Sequence, residues 1–167
     1  MDKDLLDSLI DDWQGQRPEL DASAMGVVGR VLQLGRILEG RAGRALKKFD
    51  IHYTDLDVLA TLRRSGAPFR LTPTKLRESV LITSGAMTAV LDRVEKAGLL
   101  RRVPDPSDRR VRAVELTPEG KERIDKAIEV RFAEAEMALR GISPEDRETL
   151  ASLLRRVILS IHHAPEP

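Results

Sequence analysis

Apolar residues recur along this chain first at helical spacing, then briefly at strand spacing, then at helical spacing again. From about Ala24 to Lys48, Val28, Val31, Leu32, Gly35 and Leu38 fall three or four residues apart, which predicts one long amphipathic helix. Asp55 to Arg64 repeats the pattern with Leu56, Leu59, Ala60 and Leu62, and stops at Ser65-Gly66-Ala67-Pro68. Two shorter helices follow, roughly Pro73 to Ser79 and Ser84 to Ala97, linked by Val80-Leu81-Ile82 and closed by Gly98 as a left-handed cap. The period then drops to two. Leu100 to Val103 and Val111 to Leu116 read as strands flanking the polar tip Pro104-Asp105-Pro106-Ser107-Asp108-Arg109-Arg110. Helices over about Pro118 to Arg140 and Pro144 to His162 complete the pattern, and His163 to Pro167 reads as a loose tail. The last helix carries Leu150, Leu153, Leu154, Val157, Ile158 and Ile161 on one stripe.

Ser or Thr followed by Pro or an acid marks the helix starts, because the hydroxyl accepts from free N–H groups and Pro suits the first helical position. Such signals stand at Thr54 with Asp57, Thr72-Pro73, Thr83-Ser84, Thr117-Pro118-Glu119 and Ser143-Pro144 with Asp146. The elements between Thr72 and Leu116 then compose a helix, a turn, a second helix and a hairpin, which is a winged helix-turn-helix. The expected fold is mainly α with this small β-hairpin wing, bracketed by N- and C-terminal helices suited to dimerisation. Three regions of one intertwined domain follow: 1–48 as N-terminal extension and dimerisation helix, 49–117 as winged module, and 118–167 as C-terminal dimerisation helices.

A chain of 167 residues is long enough for an apolar core without staples, and the absence of cysteine excludes thiolate metal sites and thiol nucleophiles. No apolar run is long enough for a membrane span, and the five aspartates within Met1 to Asp12 are unlike a secretory signal, so the expected location is cytoplasmic. The net charge of +1 hides a pattern. Residues 1–24 carry −5, residues 25–68 +4, residues 69–112 +5 and residues 113–167 −3. A basic centre between acidic ends attracts polyanion on one face only.

Duplex DNA is the partner that this centre suits. The second helix of the module starts with Ser84, Gly85, Ala86 and Thr88, small enough for its N-terminal end to enter a major groove and donate to phosphate and base edges. Met87, Val90, Leu91 and Val94 are expected to face inward, and Arg93 to reach backbone or base. The bland alternative is that Ser, Gly and Thr only cap the helix and Arg93 is solvated. Arg109, Arg110 and Arg112 around the hairpin tip favour the DNA reading, since arginines on such a loop fit a narrow minor groove or its phosphates. Asp108 either orients one of these guanidiniums or is an idle surface partner. The final stripe also needs cover: burying each large apolar side chain is worth roughly 1.5–3 kcal/mol, and a second copy of the chain can supply the surface.

Asp105-Pro106-Ser107-Asp108-Arg109-Arg110 running into Val114-Glu115-Leu116-Thr117-Pro118-Glu119-Gly120, preceded by Asp92-Arg93-Val94-Glu95-Lys96-Ala97-Gly98-Leu99, resembles the multiple-antibiotic-resistance regulator (MarR) family of bacterial winged-helix repressors. The resemblance covers nearly the whole helix order. It implies a homodimer with interlocked terminal helices, two modules facing successive major grooves of a palindromic operator, and release by a small effector. Matched residue by residue, the family's DNA contacts fall on Ser84, Gly85, Thr88 and Arg93 and on Arg109, Arg110 and Arg112 of the wing.

The stretch Trp13 to Asp21 is similar to the N-terminal extension of the urate-responsive branch, in which a tryptophan and an aspartate, here Trp13 and Asp57, help line the ligand site. Arg102 is basic where that branch has a functional arginine, and His52 lies close enough to join. The chain departs from the branch at Val90, where an arginine would stand in the recognition helix. The expected effector is a small aromatic or anionic compound. Trp13 as a lid over the dimer helices and Asp57 as partner in a Thr54 capping box are the structural alternatives.

An enzyme is the contrasting class and is not expected. The three histidines, His52 and the pair His162-His163, have no acid at ligand spacing, and neither a phosphate loop nor a serine elbow is present, so no cofactor or metal is expected. A third reading is a winged-helix protein-interaction module that no longer binds DNA.

Overall fold

The computed structural model describes residues 3–80, 84–106, 108 and 110–163. The expected helical architecture with a small sheet is what forms. Among the described residues seven α-helices occur: α1 (Leu5–Gln16), α2 (Ser23–Leu46), α3 (Tyr53–Arg64), α4 (Pro73–Arg77), α5 (Ser84–Lys96), α6 (Pro118–Ala138) and α7 (Pro144–His163). Three short strands, β1 (Arg70–Leu71), β2 (Leu100–Pro104) and β3 (Arg112–Leu116), form one antiparallel sheet in the order β1-β3-β2.

Two elements go beyond the sequence expectation. Helix α1 starts on a capping box: the Asp4 carboxylate accepts from the N–H groups of Leu6 (2.8 Å) and Asp7 (3.1 Å), and Asp7 accepts from the Asp4 N–H (2.9 Å). It then lies against α2 where that helix has no side chains in the way. A Cβ on Gly29 would stand 2.5 Å from the Leu6 Cδ1, and one on Gly26 3.1 Å from the Ile10 Cδ1. Arg30 pins the pair by donating to Asp4 (2.8 Å) and Asp7 (2.6 Å). The other addition, β1, is only two residues long and exists through its pairing with β3, Arg70 opposite Glu115 and Leu71 opposite Val114.

The expected caps at Thr72, Thr117 and Ser143 form: each hydroxyl accepts from a backbone N–H three residues on, at Lys75, Gly120 and Asp146. The start assigned to Thr54 and Asp57 is corrected. Helix α3 begins two residues earlier, at Tyr53 rather than Asp55, with His52 at the cap and the Asp55 carboxylate accepting the His52 N–H at 3.0 Å. Asp55 wins because it stands three residues after the last extended residue, whereas Asp57 already lies in the second turn. Thr83 and the link residues Leu81 and Ile82 lie outside the described residues.

The core lies where α3, α5, α6 and the sheet converge, with Leu46, Leu59, Leu62, Leu76, Val94 and Ile124 all sealed from solvent. Met87, Val90, Leu91 and Val94 form the inward face of α5, as their spacing predicts. By contrast α7 buries none of its residues in this chain, and Leu150, Leu153, Val157, Ile158 and Ile161 all stand exposed. Val28, Val31 and Leu32 of α2 are exposed as well. No helix among the described residues is long and apolar enough to cross a membrane.

Candidate nucleic-acid interface

The short helix α4 and the apolar face of α5 are anchored in the core, so α5 presents its opposite face outward. On that face Gly85 and Thr88 are exposed. Position 85 is open as well as exposed, since a Cβ there would meet nothing within 4 Å. The Ser84 side chain and all of Arg109 lie outside the described residues. Beside α5, Thr88, Arg77, Arg102 and Arg112 line a groove of about 290 Å³ between the two helices and the sheet. Arg77 is a residue that the pattern analysis missed. The signal available was a lysine and an arginine, Lys75 and Arg77, in the last turn of α4.

The wing owes its shape to local pairing. At its tip Arg110 is 91% exposed, and its Nε donates to Asp108 at 3.2 Å. Asp108 also accepts the Arg110 backbone N–H at 3.0 Å, and these bonds hold its carboxyl below the ordinary aspartate range. At the base of the wing the central strand carries Glu115, directly opposite Arg70 on β1 and Arg101 on β2. Both guanidiniums converge on that buried carboxylate, Arg70 Nε at 2.6 Å and Arg101 Nε at 3.0 Å. Burial pushes the Glu115 carboxyl up, but the hydrogen bonds and charges of Arg101 and Arg70 outweigh this and leave it below the usual glutamate range.

Two arginines assigned from sequence to DNA or effector are engaged elsewhere in the fold. Arg93 turns back onto α3, its Nε donating to both Asp55 oxygens (3.0 and 3.3 Å) and its terminal nitrogen to the Thr54 hydroxyl (3.2 Å). Arg102 on β2 donates to Asp92 and Glu95 of α5, tying the wing to the recognition helix. The guanidiniums of both are raised by these carboxylates.

The other residues assigned to an effector are not gathered in one place within a single chain. Trp13, 59% exposed, lines an apolar cavity of about 470 Å³ between α1 and α2, with Leu6, Ile10 and Met25. Asp57 lines a different cavity of about 300 Å³, walled by Tyr53 and Thr54 of α3, Glu39 of α2 and Ile128 and Arg131 of α6. His52 is exposed at the α3 cap and lines neither.

A family model described as the MarR family matches residues 51–111, the span from the start of α3 to the wing. The transcriptional regulator PecS of Dickeya dadantii is 33% identical over 149 residues, covering 89% of this chain and 90% of its own. Among solved structures, a mutant E. coli MarR complexed with operator DNA superposes with a TM-score of 0.70 at 22% identity, covering 93% of this chain and 99% of that one. Bordetella bronchiseptica BpsR, whose DNA binding is regulated by 6-hydroxynicotinic acid, gives 0.70 at 22% identity, covering 83% and 94%. The helix order, the sheet of β1, β2 and β3 and a relative one-third identical along nine-tenths of its length agree: this chain belongs to the MarR family of transcriptional regulators.

Proposed function

We propose that this protein is a repressor that binds a palindromic operator as a homodimer and is released by a small aromatic or anionic effector. The observation that carries the reading is that Gly85 and Thr88 stand exposed in the first half of α5, beside a wing that projects Arg110 and Arg112. Gly85 and Thr88 take the major groove, with Ser84 at the same helix end, and Arg110 and Arg112 with Arg109 take the adjoining backbone or minor groove. Arg77 adds a phosphate contact from α4. Residues 49–117 are the reading module, and residues 1–48 and 118–167 supply the dimer, because the exposed stripes of α2 and α7 have matching apolar chemistry.

The effector enters one of the two cavities on either side of α2. BpsR offers a precedent for a small ring acid acting on a fold of this kind. The Asp57 cavity offers the Tyr53 ring to a planar compound, Arg131 to an anionic group on it, and Glu39 and Asp57 as acceptors for its N–H or O–H groups. Release is a population shift: the liganded dimer prefers a separation of the two α5 helices that no longer matches one turn of duplex, about 34 Å. Selection of bound duplexes from a random pool tests the whole reading. A two-fold consensus is the expected result; no enrichment over input would leave a protein-interaction module instead. Trp13 emission, the only tryptophan signal in the chain, then reports on candidate effectors.

A further inference from the structure

Helix α3 opens with a turn that faces two ways. On one side Tyr53, Thr54, Leu56 and Asp57 wall the cavity of about 300 Å³. On the other, Asp55, whose side chain is 5% exposed, receives the guanidinium of Arg93 from the recognition helix. Thr54 belongs to both sides, since it lines the cavity and its hydroxyl accepts from Arg93 at 3.2 Å. The carboxylate itself is fixed to the helix start by the His52 N–H at 3.0 Å. One residue before Arg93, Asp92 holds Arg102 of the wing, and Glu95 holds the same guanidinium. The second half of α5 is therefore braced at successive residues, to the cavity wall by Arg93 and to the wing by Asp92.

We infer that Asp55, acting through Arg93, is a positioning residue that sets the recognition helix for DNA, and that occupancy of the Asp57 cavity is transmitted to α5 through this same turn. The inference rests on the DNA-binding reading above and names how that site is regulated. Its physical basis is geometric. A bidentate carboxylate–guanidinium pair tolerates little rotation, so a tilt of the α3 first turn moves Arg93 or breaks its hold. A ligand that takes the Thr54 hydroxyl or pushes on Leu56 acts on an atom one residue from that pair. The alternative role for Arg93, direct contact with phosphate, makes opposite predictions and can be separated from this one.

The test is a double-substitution cycle on the intact dimer, with the selected duplex as probe and affinity measured across a salt series. Asp55→Asn keeps the size of the side chain and an oxygen for the His52 N–H but removes the charge facing Arg93. If the pair positions α5, Asp55→Asn and Arg93→Ala each weaken operator binding roughly tenfold, the double variant is no weaker than either, and the salt slope stays at the wild-type value. If Arg93 instead contacts DNA, Asp55→Asn leaves binding unchanged or tighter, while Arg93→Ala flattens the slope by about 0.9 per copy, and the inference is overturned.

The transmission part is tested without any effector by Ala60→Leu, which fills the cavity from α3 itself. It is expected to weaken operator binding in the wild-type background and to add nothing to Asp55→Asn. An additive loss, or no loss in either background, overturns transmission through this turn. Thermal midpoint and sedimentation mass of each variant show that the folded dimer persists. Should a charge-free Asp55→Asn chain fail to fold, Asp55→Glu with Arg93→Lys serves, with restored binding in the pair over the singles as the expected outcome. Wild-type protein that binds no duplex defeats the functional reading itself; wild-type protein that binds while the cycle is additive defeats only this inference.

Discussion

Gly120 is the position at which one added methyl tests the packing logic most sharply. It lies in the first turn of α6, where Thr117 joins three groups: its hydroxyl accepts the Gly120 N–H (2.9 Å) and donates to the Gly98 carbonyl (2.7 Å), and its N–H donates to the Leu99 carbonyl (3.1 Å). The turn at Gly98, held at a φ of +75°, is thereby pressed onto the helix start. A Cβ at Gly120 would lie 1.8 Å from the Leu99 oxygen, 2.7 Å from its carbon and 3.1 Å from its Cα. That is more than an ångström inside ordinary contact, and against backbone that cannot rotate away. At an open helical site Gly→Ala gains about 1 kcal/mol. Here the overpacking cost is about 3 kcal/mol, the top of the usual range because main chain bears it, and this reverses the sign. Gly120→Ala is therefore expected to lose about 2 kcal/mol, a fall in Tm of roughly 4–8 °C for a chain of this size. Urea unfolding followed by helical circular dichroism at fixed protein concentration measures it. Because the displaced turn leads into β2, the operator affinity should fall as well. A variant as stable as wild type, or more stable, would refute the reasoning by showing that the turn relaxes freely.

Arg110→Ala is expected to weaken binding to the selected duplex and to flatten the salt dependence by about 0.9 per copy, with the dimer intact; an unchanged slope removes the wing tip from the interface. Ile158→Asp places a charge on the exposed stripe of α7 and is expected to give a monomer by sedimentation equilibrium, an unchanged dimer mass meaning that this face is not an interface. For Glu115 the sign follows from its depressed carboxyl: the stability it contributes is fully present above the ordinary glutamate value of 4.5 and is lost as pH falls through the lower folded value. Wild type should thus lose more stability between about pH 5 and pH 3 than Glu115→Gln, read as urea midpoints, and parallel losses would show that the Arg70 and Arg101 pairing is not coupled to folding.

Local chemistry was legible in the sequence, and contacts between distant residues were not. The caps at Thr72, Thr117 and Ser143 need partners only three residues away, and the inward face of α5 needs only its own periodicity. Helix α1 was missed because aspartates dilute its apolar positions, although the Asp4 and Asp7 spacing of a capping box was present. Strand β1 has no signal of its own, since two residues become a strand only when β3 arrives from 45 residues away. The same reason hid the partner of Arg93. A guanidinium on a predicted surface helix reads as free, and its carboxylate lies 38 residues earlier in the chain. The Thr54–Asp57 start differs from the observed one by two residues of register, decided by which acid stands three residues after the extended cap.

That distinction also changes how the basic centre is understood. The +5 of residues 69–112 treats every cation as available to a polyanion, but the fold engages several of them internally. Arg70 and Arg101 are held by Glu115, Arg93 by Asp55, and Arg102 by Asp92 and Glu95. These pairs are what stiffen the sheet, tie it to α5 and tie α5 to α3. The cations left to project from the same segment, Lys75, Arg77, Lys96, Arg110 and Arg112, are exposed, and Arg77 and Arg112 line the groove beside α5. Positive charge in this module thus has two distinct uses. The braced arginines tie the proposed reading helix to its neighbours, so on the inference above substituting one should change operator affinity with little effect on its salt dependence. The projecting ones are those that the proposed reading sets against phosphate, so substituting one should change both. A sequence-level charge count cannot separate the two sets; what does is whether a guanidinium crosses to a carboxylate on another element or, like Arg110 with Asp108, meets one only within its own exposed tip.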